Sequence, residues 1–140
     1  LHEFLQICPD INIRGTEISD YAIDCALPSV KPFIQKAPFM ELPFANGEFD
    51  FIIAIGAVYS LNLPDAIKCL KEIQRVGKGK SFITLGAYDS EEDFRCFRYW
   101  TLLGCTVLSK TDWVEVLNHV GYSGDYKFNT AQSLKLIEKI

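Results

Sequence analysis

The chain has 140 residues, 49% hydrophobic, 23% charged and 13% aromatic, with 14 basic against 18 acidic residues and a net charge of −4. That is enough for one domain able to bury roughly 70% of the surface its unfolded form exposes, and it excludes disordered and collagen-like classes. The acidic balance argues against a surface built to hold a phosphate backbone, so small molecules or proteins, and not nucleic acids, are the expected partners.

Leu1, Phe4, Leu5 and Cys8 share a helical face, and Pro9-Asp10 stops that helix. The chain therefore opens inside a helix. With Met40 as its only methionine, it reads as a piece of a longer protein. Ile11 to Ile18 alternates as a short strand, and Ser19 or Asp20 can cap a helix over Tyr21 to Ala26. Pro28, Pro32, Pro38 and Pro43 predict an extended, loop-like stretch, followed by a turn at Asn46-Gly47. Phe49 to Val58 is isoleucine-rich and lacks strict alternation, as expected of a parallel strand covered on both faces.

Pro64 and Asp65 open a helix with Ala66, Ile67, Leu70 and Ile73 in one stripe and Lys68, Lys71 and Glu72 facing water; Gly77 and Gly79 stop it. Ser81 to Ala87 is a second buried strand, and Asp89 to Asp93 reads as a solvated acidic loop. Thr111 to Val120 is a helix ended by Gly121, Tyr126 to Asn129 a last strand, and Ala131 to Ile140 either helix or strand. Alternating strands and helices predict βαβ units and one α/β domain with a parallel sheet over 1–140. The five cysteines show neither C-x-x-C pairing nor zinc spacing, so they read as buried, reduced thiols and no metal is expected. The uncharged run Phe51 to Pro64 is too short to cross a bilayer and the start carries no basic leader, so the reading is cytoplasmic, without a membrane span.

In open parallel sheets, ligands bind beyond the carboxyl ends of the strands, here Glu17-Ile18, Gly56 to Ser60 and Gly86 to Asp89. Glu17 suits a ribose diol, because a carboxylate can accept both hydroxyls, but an ordinary solvated acid ends a strand equally well. His119 could serve as a base or simply cap the end of its helix, and His2 has no evident role. Tyr99-Trp100 could stack on a sugar ring, though a buried aromatic pair is the commoner arrangement.

Gly15 to Ser19 (GTEIS), Leu42 to Asp50 (LPFANGEFD) and Leu70 to Val76 (LKEIQRV) follow one another at a spacing that resembles class I S-adenosylmethionine (SAM)-dependent methyltransferases of the type 11 kind. The tail, with Tyr99-Trp100, Trp113 and Gly121 to Tyr126, resembles a bacterial subgroup associated with surface-polysaccharide biosynthesis. The resemblance implies a mostly parallel, Rossmann-like methyltransferase sheet with SAM as cofactor and a small-molecule or sugar acceptor. It also implies that Glu17 binds the ribose hydroxyls and Ile18 packs on the adenine. Pro38-Phe39 stands where the family often has a polar residue near the adenine, leaving backbone and stacking contacts. Ile55, Gly56 and Ala57 would line the methionine side.

Tyr59, Tyr88 and Asp89 are the candidates for contact with the acceptor, and no general base is assigned. The family's first strand and glycine-rich loop should precede the opening helix. The chain is accordingly read as an N-terminally truncated, partial domain, with activity expected of the parent protein. Two rivals remain open: a nicotinamide-dependent oxidoreductase, which would use Glu17 in the same way, and a non-catalytic Rossmann-like binding module.

Overall fold

The computed structural model describes residues 1–136 and forms two compact units, the first Leu1–Pro43 and the second starting at Phe44. The first unit runs α1 (His2–Ile7), β1 (Gly15–Glu17), α2 (Asp20–Asp24), a 3-10 turn (Lys31–Phe33) and β2 (Ile34–Lys36). β1 and β2 pair in parallel, Gly15 opposite Ile34 and Glu17 opposite Lys36. Ser19 is the cap of α2, its hydroxyl accepting from the Ala22 N–H at 3.2 Å.

The unit differs from the sequence reading at two points. β1 occupies only the end of the predicted Ile11–Ile18 strand, and β2 lies inside the stretch expected to be loop. The prolines do not prevent β2, because Pro32 lies in the 3-10 turn and Pro38 two residues past the strand, so the three paired residues keep their N–H groups.

The second unit is built on β3 (Ile52–Ala54), α3 (Leu63–Val76), β4 (Ser81–Tyr88), α4 (Glu91–Trp100), β5 (Leu108–Ser109), α5 (Lys110–Val120) and β6 (Asp125–Asn129). β4 pairs in parallel with β3, β5 and β6 and is buried along nearly all its length. The mixed α/β architecture with parallel strands is the predicted one.

α3 forms where its signals lie. Asn62 caps it by accepting from the Asp65 N–H at 3.1 Å, Pro64 sits in the first turn, and Ala66, Cys69, Leu70, Ile73 and Val76 are buried. Its last turn is tied to the segment before β3. Arg75 donates to both carboxylate oxygens of Glu72 at 2.6 and 2.7 Å, to the Phe44 carbonyl at 2.8 Å and to Asn46 at 2.9 Å. The Gly47 and Phe49 N–H groups donate back to the carbonyls of Arg75 and Val76. The LPFANGEFD and LKEIQRV blocks are thus two sides of one hydrogen-bonded joint.

Four expectations need correction in the second unit. β3 is three residues long, not ten, and is not covered on both faces: Phe51, Ile53 and Ile55 are 53%, 39% and 69% exposed. Among the described residues its one partner strand is β4, and the chain leaves the ladder before Gly56, where φ is +74°. Of the acidic stretch Asp89–Asp93, Asp89 precedes the helix, but Glu91, Glu92 and Asp93 are not loop: they form the first turn of α4, where carboxylates meet the positive end of the helix dipole. Ser90 caps it, and Asp93, 1% exposed, accepts from the Asp89 N–H at 3.1 Å and the Gln132 N–H at 3.3 Å. Tyr99 and Trp100 are not a buried pair but exposed, Trp100 retaining a ring contact to Phe97. Of the five cysteines, all free, only Cys69 is buried; Cys8, Cys25 and Cys105 are exposed.

α5 and β6 lie within one residue of expectation, and Gly121 ends α5 with φ +69°. Beyond β6, residues 131–135 form turns rather than helix or strand, and 137–140 lie outside the described residues. Among the described residues no helix is long and apolar enough to cross a membrane.

Candidate functional site at the strand ends

In the first unit, β1 ends at Glu17, and the Ala37 N–H continues the ladder by donating to the Glu17 carbonyl at 3.2 Å. Ile18 and Pro38-Phe39 therefore leave the sheet side by side at its carboxyl end. Glu17 is half-buried. Its Oε1 accepts from the Ile18 N–H at 2.8 Å and the Ser19 N–H at 2.9 Å, which fixes the carboxylate across the turn into α2. Lys36, opposite Glu17 in register, instead pairs with Asp20 at 2.6 Å. Among the described residues Oε2 has no hydrogen-bond partner, so a preoriented acceptor remains. Ile18 is 56% exposed beside it, an apolar surface with nothing polar to satisfy. An acceptor fixed at one oxygen and open at the other fits a diol, and the exposed isoleucine fits a flat apolar ring.

In the second unit, Ile55, Gly56 and Ala57 leave the carboxyl end of β3. The Gly56 N–H donates to the hydroxyl of Thr84, a buried residue of β4, at 2.9 Å. A left-handed glycine is needed at this turn, and Thr84 sets how the turn stands over the sheet. No periodicity argument finds Thr84; the only signal is a hydroxyl inside the apolar run that follows Ser81 in SFITLGA. Tyr59 follows in a 3-10 turn, Val58–Ser60, its ring edge-on to Phe97 with centroids 6.0 Å apart.

Both rings close over Gly86: a Cβ there would lie 2.9 Å from Phe97 and 3.0 Å from Tyr59. Trp113, fully buried, donates from its indole nitrogen to the Gly86 carbonyl at 2.8 Å. Tyr88, two residues further on the same face of β4, packs edge-on against Phe94 at 4.9 Å. Asp89 is exposed and forms an ion pair with Lys110. The structure thus brings Tyr59 and Tyr88 to one face of β4 and leaves the Asp89 carboxylate committed to a lysine. His119 is exposed in the last turn of α5, where a cation suits the helix dipole, and His2 is bonded to Gln6 and Ser29. Among the described residues no three or more histidine, cysteine or acidic side chains gather where they could hold a metal ion.

The family model of the methyltransferase domain matches residues 2–85, more than half of the chain. Among solved structures, the YcgJ protein of Bacillus subtilis superposes with a TM-score of 0.65 at 17% identity, over 85% of this chain and 56% of that one. A candidate methyltransferase of Bacillus halodurans gives 0.46 at 14% identity, over 86% of this chain and 64% of that one. The chain thus spans between half and two thirds of the length of these two proteins. The first likeness shows the shared Rossmann-like fold. No curated protein matches the chain.

Proposed function

Since the chain belongs to the methyltransferase-domain family, we propose that it is the main part of a SAM-dependent methyltransferase acting on a small or sugar-containing acceptor in polysaccharide biosynthesis. The family match runs across Pro43 into β4, which supports reading residues 2–85 as one methyltransferase domain, to which the rest of the chain is assigned in this proposal. Bound SAM would supply a sulfonium methyl group to a nucleophilic acceptor. The observation that carries the reading is Glu17, a strand-end carboxylate fixed by two backbone N–H groups with its other oxygen open.

In this reading Glu17 accepts the ribose hydroxyls, Ile18 covers the adenine, and Pro38-Phe39 supplies stacking and backbone contacts. Ile55, Gly56 and Ala57 approach the methionine portion, a bare Cα at Gly56 leaving room for it. Alignment of donor and acceptor supplies much of the catalysis for such an in-line transfer. Tyr59 and Tyr88, on one face of β4, are the acceptor-side residues, whereas Asp89 serves its pair with Lys110. The likeness of the Tyr99-Trp100 and Gly121 to Tyr126 segments to the polysaccharide subgroup supports the sugar acceptor. Exposed free cysteines support a reducing, cytoplasmic setting.

The test is calorimetric titration of S-adenosylhomocysteine into the native protein, alongside Glu17→Ala. Micromolar binding that Glu17→Ala weakens by about tenfold or more is expected, the worth of hydrogen bonds to a charged group. A folded protein that does not bind would overturn the reading in favour of a non-catalytic module. Equal binding by the variant would remove Glu17 from the site.

A further inference from the structure

We propose that the turn between α4 and β5 is a surface anchor for anionic lipid: Leu102 and Leu103 enter the headgroup boundary, Tyr99 and Trp100 sit at its level, and Arg95 and Arg98 face the lipid phosphates. The turn is built rather than loose. α4 closes with the Thr101 N–H on the Phe97 carbonyl, the Gly104 N–H donates to the Thr101 hydroxyl at 3.0 Å, and Arg98 donates to the Gly104 carbonyl at 2.6 Å. On the far side, the Cys105 and Thr106 N–H groups share the Tyr59 carbonyl at 3.0 Å, and the Thr106 hydroxyl donates to the Leu61 carbonyl at 2.6 Å.

Held this firmly, the turn still leaves Leu102 94%, Leu103 77%, Tyr99 85% and Trp100 49% exposed. Scattered exposed apolar residues need no explanation, but four within five positions on one ordered turn form a patch. Charge selects the occupant. From Phe94 to Thr111 there is no acidic residue, while Arg95, Arg98 and Lys110 fall inside the segment, in a chain whose net charge is −4. Lys110 is spent on Asp89, which leaves on α4 beside the aromatic pair the positive charges of Arg95 and of Arg98, whose bond to the neutral Gly104 carbonyl does not cancel its charge.

Tyrosine and tryptophan with an apolar body and a polar tip, leucines beyond them and cations behind them are the residues that suit a membrane–water interface. A protein partner is the weaker match, since a stable interface engages about 20–30 residues a side and this turn offers four large apolar side chains. The inference is independent of the methyltransferase reading.

The test is co-sedimentation of the full chain with vesicles of phosphatidylglycerol and phosphatidylcholine in equal parts, against phosphatidylcholine alone. Binding to the anionic vesicles is expected, weakening with added salt. It should fall about tenfold or more in Leu102→Glu/Leu103→Glu, by the loss of buried apolar surface, and about fivefold in Arg95→Ala. A blue shift in tryptophan fluorescence on binding should vanish in Trp100→Phe, since Trp113 is already buried. Absence of binding at low salt would overturn the proposal, as would binding that both leucine substitutions leave unchanged. Concentration-dependent self-association of the wild-type chain, abolished by the same substitutions, would overturn it in favour of a second copy. If the double variant does not fold, quenching of Trp100 by bromine-labelled lipid in the wild-type chain decides, and no quenching overturns the anchor.

Discussion

Gly86 is the residue on which the aromatic cover of β4 depends, because Phe97 and Tyr59 occupy the space a methyl group would take. Gly86→Ala is expected to lose roughly 1–3 kcal/mol by overpacking, read as a lower midpoint in urea unfolding. Thr84→Val keeps the shape of that position but strands the Gly56 N–H, costing roughly 1–3 kcal/mol in the same assay. Cys69 behaves differently from the exposed cysteines. Burial, helped by the nearby Glu72 charge, pushes its thiol from the ordinary 9.0 up to about 12. The unfolded thiol therefore ionises first, and the stability contributed by keeping Cys69 protonated is full below pH 9 and declines as pH rises from there toward 12. Maleimide labelling of the native protein at pH 8 should modify Cys8, Cys25 and Cys105 promptly and Cys69 only after unfolding.

Among the elements, α5 is fastened at both ends, by the Ser109 hydroxyl accepting from the Asp112 N–H at 3.0 Å and by left-handed Gly121. Ser109→Ala should cost about 1 kcal/mol, measured as a fall in thermal midpoint. α3, β4 and α5 were legible because each carries its own punctuation and one apolar stripe or buried run. β2 was hidden by prolines that fall just outside its three paired residues. α4 was hidden because Glu91-Glu92-Asp93 reads as solvated charge until Ser90, three residues before Asp93, is taken as a cap. Phe49–Val58 was overextended because apolar content announces burial without saying how far the hydrogen-bonded ladder runs. Of the candidate site, the strand-end positions could be read, since they follow from strand and helix order. The bonds that orient them could not: which atoms Glu17 holds, and that Thr84 carries the Gly56 turn, depend on side-chain geometry.

At the scale of the molecule, the two units differ in what holds them. Buried apolar side chains in the first are Ile13, Val30 and Ala37, whereas the second includes Leu70, Ile73, Ile83, Leu85, Phe97, Trp113 and Leu117. Amides of Leu1–Pro43 are accordingly expected to exchange with deuterium faster than those of α3, β4 and α5, as hydrogen-exchange mass spectrometry would show. The exposed Phe51, Ile53 and Ile55, on and flanking β3, also bear on how the protein must be handled. From Phe51 to Pro64 the chain carries no charge, and Asp50, held by Lys78 at 2.6 Å, stands at its mouth. A short, uncharged, isoleucine-rich segment is a template for pairing between chains whenever it is uncovered, with Asp50 as its gatekeeper. Yield on refolding should therefore fall as protein concentration rises, and Asp50→Ala should move the onset of light scattering to lower concentration.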